Sequence, residues 1–265
     1  GVSEKVTLAA FILIIMGAAT KSAQWPFHIW LPNAMEAPTP ISAFLHSATM
    51  VKAGIYLLSR FYPILGGHPA WGYVVISLGM TTMITGGLLS LRAHDLKAIL
   101  AYGTISQLGL IVTFLGYGGE EAIIGSTLHL YNHAAAKAAM FMIVGIIDHE
   151  TGTRDVRLLG HLSRKMPRSH ILAVLAAISL IGIPPMGGFI TKEMLYGVSI
   201  HPGGPGDWAT FWPWLTLGAG IITALYHLRF LGAPFWTPAE GDSPKPGHDP
   251  SLGMLAAPAI LVLLA

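Results

Sequence analysis

Two histidines and a lysine recur at four-residue steps in HLYNHAAAK (129–137), inside an apolar run from about Ala122 to Ile147. On a helix, each step of four turns a side chain by only about 40°, so His129, His133 and Lys137 share one polar stripe. Imidazoles titrate near neutral pH and can pass a proton between their two nitrogens. The chemistry such a stripe could do is proton transfer through an apolar medium. Charged groups at bilayer depth are costly and normally face a bundle interior or a wetted cavity, so function is the first reading. A satisfied core network and a metal site are the alternatives. The metal reading lacks an acidic or cysteine ligand nearby, and Leu130 stands where the glutamate of HExxH would be. No metal and no cofactor is expected.

The stripe needs a membrane around it, and the composition supplies one. Hydrophobic residues make up 53% of the 265, charged residues only 11%, and mean hydropathy is +0.60. Soluble domains are usually about a quarter charged. Several runs exceed the roughly 18 apolar residues that mark a spanning helix. The 31 glycines and 18 prolines are tolerated in membrane bundles. A net charge of +2 gives no reason to expect a nucleic-acid partner. Without Cys the chain can hold no disulfide, thiolate nucleophile or Cys-ligated iron–sulfur cluster.

The expected fold is all-α: a polytopic membrane bundle of about eight spans forming one domain over 1–265. The spans fall at roughly 5–24, 39–60, 70–91, 95–117, 121–147, 169–199, 208–236 and from 251 onward. The first is not a signal peptide, because a long polytopic pattern follows it without a cleavage site. A start at Gly1 without Met, and an end inside PAILVLLA (258–265), suggest part of a larger membrane protein.

Lys and Arg sort the connections. Those after spans one, three, five and seven hold Arg92, Lys97, Arg154, Arg157, Arg164, Lys165, Arg168 and Lys245, against Lys5 and Arg60 on the opposite face. The first set is therefore expected in the cytoplasm. Trp25, Trp30, Trp71, Trp208 and Trp236 lie near span ends and read as interfacial anchors. The connection 149–168 is basic and suited to headgroups or to a neighbouring polypeptide of a complex, and 237–250 reads as a flexible link.

Five cations remain within spans: Lys21, Lys52, Lys137, Lys192 and Arg229. Snorkelling explains Arg229 and competes for Lys21, which lie near cytoplasmic ends. Span six reads SLIGIPPMGGFITKE (179–193), and Pro184 and Pro185 near its middle must break it. Irregular backbone at that depth lines a cavity or is covered by protein, and transporters place ion sites at such half-helix ends. In span two, Pro38 and Pro40 lie at the start, while His46 and Lys52 sit inside with no proline between them. Thr20-Lys21 and Thr191-Lys192 form a faint echo, each preceding a span with an internal His (His46, His227).

Read together, KSAQWPFHIWLPNAMEAPTPISA (21–43), LHSATMVKAG (45–54), DLKAILAYGTISQ (95–107) and the 129–137 stripe resemble the antiporter-like subunits shared by respiratory complex I and multisubunit cation/proton antiporters. DHETGTRD (148–155) and MEAPTP (35–40) look most like the large A-type component of Mrp-type Na+/H+ antiporters. The resemblance implies inverted five-helix repeats, each with a broken helix, and a midplane chain of basic side chains. Carried over position by position, Lys21 matches the broken-helix lysine of the first repeat. His46 and Lys52 match the helix bridging the repeats, His129, His133 and Lys137 the central relay, and Lys192 the terminal lysine beside Glu193. The family's partner glutamate for Lys21 would lie upstream of Gly1.

The function so implied is proton translocation in a cation (Na+)/H+ antiporter of a bacterial cytoplasmic membrane. The partners would be other subunits of the antiporter complex, the lipid bilayer, H+ and Na+ or another monovalent cation. The chain would be part of a secondary transporter and not an enzyme. The alternative is a proton-pumping subunit of complex I. Tyr102, Thr104, Ser106 and Gln107 could join the lysines and histidines into a path, or simply bind helices together. Glu193 could pair with Lys192 or face a neighbouring polypeptide. His227 could belong to the path, and Asp95 could cap span four.

Overall fold

The computed structural model describes residues 4–200, 210–241 and 243–265, with helices and no strands among them. Trp208 and the side chain of Lys5 lie outside that description. The first span is α1 (Glu4–Lys21). A short α2 (Trp30–Asn33) and a tight turn at Ala34–Glu36 then lead back to the bundle. Span two runs from α3 (Thr39–Ala43) through a widened turn at Phe44–Ala48 and a tightened one at Met50–Lys52 into α4 (Ala53–Leu65). The helix is thus interrupted where His46 and Lys52 stand, with Thr49 at φ −124° and ψ −86°, outside the helical region, and no proline responsible. Such widened turns mark functional sites in many helices.

Next come α5 (Ala70–Arg92), α6 (Leu96–Tyr117) and α7 (Gly119–Thr151). At 33 residues α7 is about 50 Å long, more than a bilayer core needs. Its ends are accordingly polar, with Glu120 and Glu121 at one and Asp148, His149 and Glu150 at the other. The short α8 (Leu162–Lys165) precedes α9 (Pro167–Ile181), which stops at Gly182 in the left-handed conformation. After the two prolines, α10 (Gly187–Ile200) resumes. The last two are α11 (Trp212–Leu231), prolonged by a wide turn to Trp236, and α12 (Leu252–Leu263). Five of these stretches are long and apolar enough to cross a membrane, and three more are shorter apolar helices. The chain is a multi-pass helical membrane protein.

The bundle is organised on α6, which is buried along almost its whole length. It lies against α5 at a glycine seam. A Cβ on Gly79 would stand 2.7 Å from the Gly109 carbonyl, and one on Gly109 2.6 Å from the Gly79 carbonyl. Only residues without side chains allow that approach. Asp95 caps α6, accepting the Ala98 amide at 3.0 Å, and pairs with Arg154 at 3.1 Å.

The connections expected on one membrane face do lie at one end. Leu96 donates to the Arg154 carbonyl, Val156 to His94, Glu240 to Arg157 and Lys245 to Thr151. Segment 237–250 is therefore not the free link its composition suggests. Asp249 accepts the Arg168 and Ser169 amides at 2.9 and 3.2 Å and the Ser169 hydroxyl at 3.1 Å, capping α9 from a distance. Asp249→Ala should lower stability by about 1 kcal/mol, read as a lower melting temperature of the assembled protein. An unchanged melting curve would mean that the first turn of α9 needs no such cap. In the same region the Arg157 guanidinium holds the Asp155 carboxyl down at about 2.

Three further expectations change. Trp71 is buried, 2% exposed, and donates to the Leu115 carbonyl at 2.9 Å, so it anchors a helix pair and not an interface. Lys97 is also buried, 2% exposed, and donates to the Ala37 carbonyl at 2.8 Å, where a solvated loop cation was expected. Arg229 reaches back to the Ala93 and Ser90 carbonyls at the end of α5 instead of snorkelling outward.

Candidate functional site: a buried row of basic and hydrogen-bonding side chains

The stripe forms as the spacing requires. His129, His133 and Lys137 lie on one face near the middle of α7, each fully buried. The two imidazoles are stacked with ring centroids 6.4 Å apart. Each neighbouring element adds to the row. From α6, Gln107 accepts from His129 Nε2 at 2.9 Å and donates through its amide nitrogen to the Tyr226 hydroxyl at 2.9 Å. From α10, the Thr191 hydroxyl lies 2.8 Å from His129 Nδ1. From α11, Tyr226 places its ring 5.9 Å from the Lys137 ammonium and 4.3 Å from the His227 ring. Gly103 makes this possible, because a Cβ there would stand 2.9 Å from Lys137 Nζ and 3.0 Å from the Tyr226 ring.

The two interrupted spans supply the remaining cations. Lys192, 6% exposed, donates to the Ile181 carbonyl at 2.6 Å. Ile181 ends α9, so the ammonium sits at the negative end of that helix and satisfies a carbonyl the break leaves free. A Cβ on Gly182 would stand 2.7 Å from Lys192 Cδ, so the glycine leaves the passage for that side chain. Lys52, 4% exposed, donates to the Leu130 carbonyl of α7 at 2.8 Å. His46 is buried beside Trp30.

Among the described residues no carboxylate pairs with Lys52, Lys137 or Lys192; the ion pairs all lie at the loop end of the bundle. Backbone carbonyls hold two of these ammoniums. Among the described residues no protein group hydrogen-bonds Lys137 Nζ, either nitrogen of His133, or His227 Nε2. His227 Nδ1 donates to the Thr223 carbonyl at 2.9 Å, which leaves Nε2 as the basic atom of the neutral ring. A row of titratable atoms with unspent hydrogen-bonding capacity can accept and release protons. A locked ion-pair network could not do so as cheaply.

Some expected residues stand apart. Lys21 is exposed at the C-terminal turn of α1, away from the buried row. Glu193 is exposed on the outer face of α10 and does not partner Lys192, because adjacent helical residues point about 100° apart. Tyr102 is half-buried and packs against the core. Ser106 ties α6 to α5, donating to the Met83 carbonyl at 2.8 Å, and Thr104 donates to its own helix at Leu100. Gln107 and His227 do join the row. The residues that the sequence did not single out are Tyr226, Thr223 and, as a partner of His129, Thr191. Thr223, Tyr226 and His227 recur at helical spacing in an otherwise apolar span, and that spacing is the signal that could have found them.

A polytopic α-helical membrane protein with basic and hydrogen-bonding side chains gathered at the middle of its bundle is the class that fold and site define. The chain matches the family model "NADH:quinone oxidoreductase/Mrp antiporter, TM" over residues 1–205, and it belongs to that family. It is 46% identical over 254 residues to a probable K(+)/H(+) antiporter A/B subunit of Rhizobium meliloti (strain 1021), covering 95% of this chain and 25% of that protein. It is 43% identical over 281 residues to the A-type component of the Na(+)/H(+) antiporter of Bacillus subtilis (strain 168), covering 99% and 35%. The chain thus spans a quarter to about a third of these curated relatives. A solved structure of the Mrp complex from Dietzia sp. DQ12-45-1b superposes with a TM-score of 0.87 at 41% identity, over 96% of this chain and 27% of that one. The membrane-bound sulfane sulfur reductase, an archaeal respiratory membrane complex, gives 0.86 at 28% identity, over 98% and 44%.

Proposed function

We propose that this chain is the proton-translocating part of the A-type component in a multisubunit Na+ (or other monovalent cation)/H+ antiporter. It would work in a bacterial cytoplasmic membrane, assembled with the other subunits of the complex. Protons would pass along Lys192, His129, His133, Lys137, Lys52 and His46, with Gln107, Tyr226 and His227 completing the hydrogen-bonded surroundings. Lys21 would face the part of the transporter that precedes this stretch. The observation that carries this reading is the gathering of three buried ammoniums and four imidazoles from span two, α7, α10 and α11, with no carboxylate among them in the described residues. Such an arrangement is costly unless the charges come and go.

The test is cation-driven proton movement in membrane vesicles holding the complete complex, with Na+, K+ and Li+ supplied in turn. Proton movement dependent on one of these ions and independent of any electron donor is expected. Within that assay, His133→Ala should shift the pH profile of transport; an unchanged profile would assign His133 to packing. Similarity to the archaeal respiratory complex favours a second reading, in which the same row is driven by redox chemistry in a partner. Proton movement only in the presence of an electron donor would select it.

A further inference from the structure

His129 is held at both ring nitrogens, and the two partners are not equivalent. At Nε2 stands the Gln107 carbonyl oxygen, 2.9 Å away, while the Gln107 amide nitrogen is committed to Tyr226 at 2.9 Å and lies 3.5 Å from Thr223. With the amide so oriented, Nε2 keeps its hydrogen in every charge state, and Nδ1 is the atom that gains and loses a proton. At Nδ1 stands the Thr191 hydroxyl, with one hydrogen and two acceptors in reach: Nδ1 at 2.8 Å and the Gly188 carbonyl at 3.1 Å.

We infer that Thr191 is a positioning residue whose hydroxyl is a two-position switch, linking the protonation of His129 to the break between α9 and α10. When His129 is neutral, Thr191 donates to Nδ1. When a transported proton reaches Nδ1, a new N–H bond forms there and donates to Thr191 Oγ1, while the hydroxyl hydrogen turns to the Gly188 carbonyl. No bond of Thr191 breaks, and departure of the proton reverses the turn. Both charge states of a buried imidazole are thereby fully hydrogen-bonded, without a carboxylate.

The location gives the switch something to act on. Gly188 lies in the first turn of α10, and the next residue after Thr191 is Lys192, held by the last carbonyl of α9. The charged and titratable groups facing His129 are Lys192 from α10, Lys52 from span two, His133 and Lys137 from its own helix, and His227 with Tyr226 from α11; α6 contributes only the neutral Gln107.

The inference rests on the antiporter reading and is tested in the complete complex by comparing Thr191→Val with Thr191→Ser across a pH series. Valine keeps the shape and removes the hydroxyl, so the imidazolium loses one of its two acceptors. The transport profile should move toward acid by about one pH unit, and serine should restore it. If the valine complex does not assemble, Thr191→Ala removes the hydroxyl without added bulk and gives the same comparison. A wild-type profile in the assembled valine or alanine complex, or an equal shift with serine, would overturn the switch. Complexes with Lys137→Met and Lys192→Met separate the two ideas. If they transport normally, the relay through these lysines fails and takes the switch with it; if they are inactive while Thr191→Val behaves as wild type, only the switch does.

Discussion

Lys137→Met in the assembled complex is expected to lower cation-driven proton movement by about tenfold or more, equivalent to at least about 1.4 kcal/mol of barrier, while leaving assembly intact. The asymmetry follows from the environment of the ammonium. It is fully buried, is hydrogen-bonded by no protein group among the described residues and lies 5.9 Å from the Tyr226 ring. A structural lysine would be paired, and removing it would strand its partner. Here nothing is stranded, and methionine fills a similar volume without a charge to desolvate. The melting temperature should therefore hold or rise. Lys192→Met differs in one respect. It leaves the Ile181 carbonyl without its donor, a loss of about 1–3 kcal/mol, so transport and stability should fall together. Wild-type transport in a well-assembled Lys137→Met complex would make that lysine a bystander.

Gly188→Ala is expected to be among the most damaging small substitutions in the chain. A Cβ at that position would collide with the backbone carbonyl of Ser179 and stand 3.1 Å from the Asn132 amide nitrogen. The colliding group is main chain within α9, so no rotamer change relieves it. Overpacking of this kind costs about 1–3 kcal/mol, and the expected result is less assembled complex and a lower melting temperature. Gly218→Ala in α11 is the control, since a Cβ there meets nothing within 4 Å. If Gly188→Ala and Gly218→Ala melt alike, the close approach of α9 and α10 does not exist.

Much of the bundle was legible because its signals are local. The i,i+4 stripe, the Pro184-Pro185 break and the Asp95 cap each depend on a few neighbouring residues, and each is present. What could not be read depends on distant segments. Lys97 looks like any cation at a helix start, and only the return of the chain at residues 35–37 encloses it. Trp71 reads as an interfacial anchor until Leu115 supplies its acceptor. The interruption at His46–Lys52 has no proline to announce it, because a widened turn needs no particular residue. Tyr226 reads equally as core packing, and Gln107 and Gly103, more than a hundred residues away in sequence, give its hydroxyl a role. The Lys192–Glu193 pairing was the opposite case. Helical geometry alone argues against it.

The long α7 and the jointed pair α9–α10 meet along the buried row with unequal mechanics. One is an unbroken rod carrying His129, His133 and Lys137 in fixed register. The other is two segments, the second of which carries Thr191 and Lys192. A few degrees of flexion at residues 182–186 would lengthen or shorten every contact across the joint at once, as a hinged lever does against a rail. Spacing along the row would then be governed by one angle, and if the proposed relay operates, a crosslink clamping the joint should stop it without touching any of its side chains.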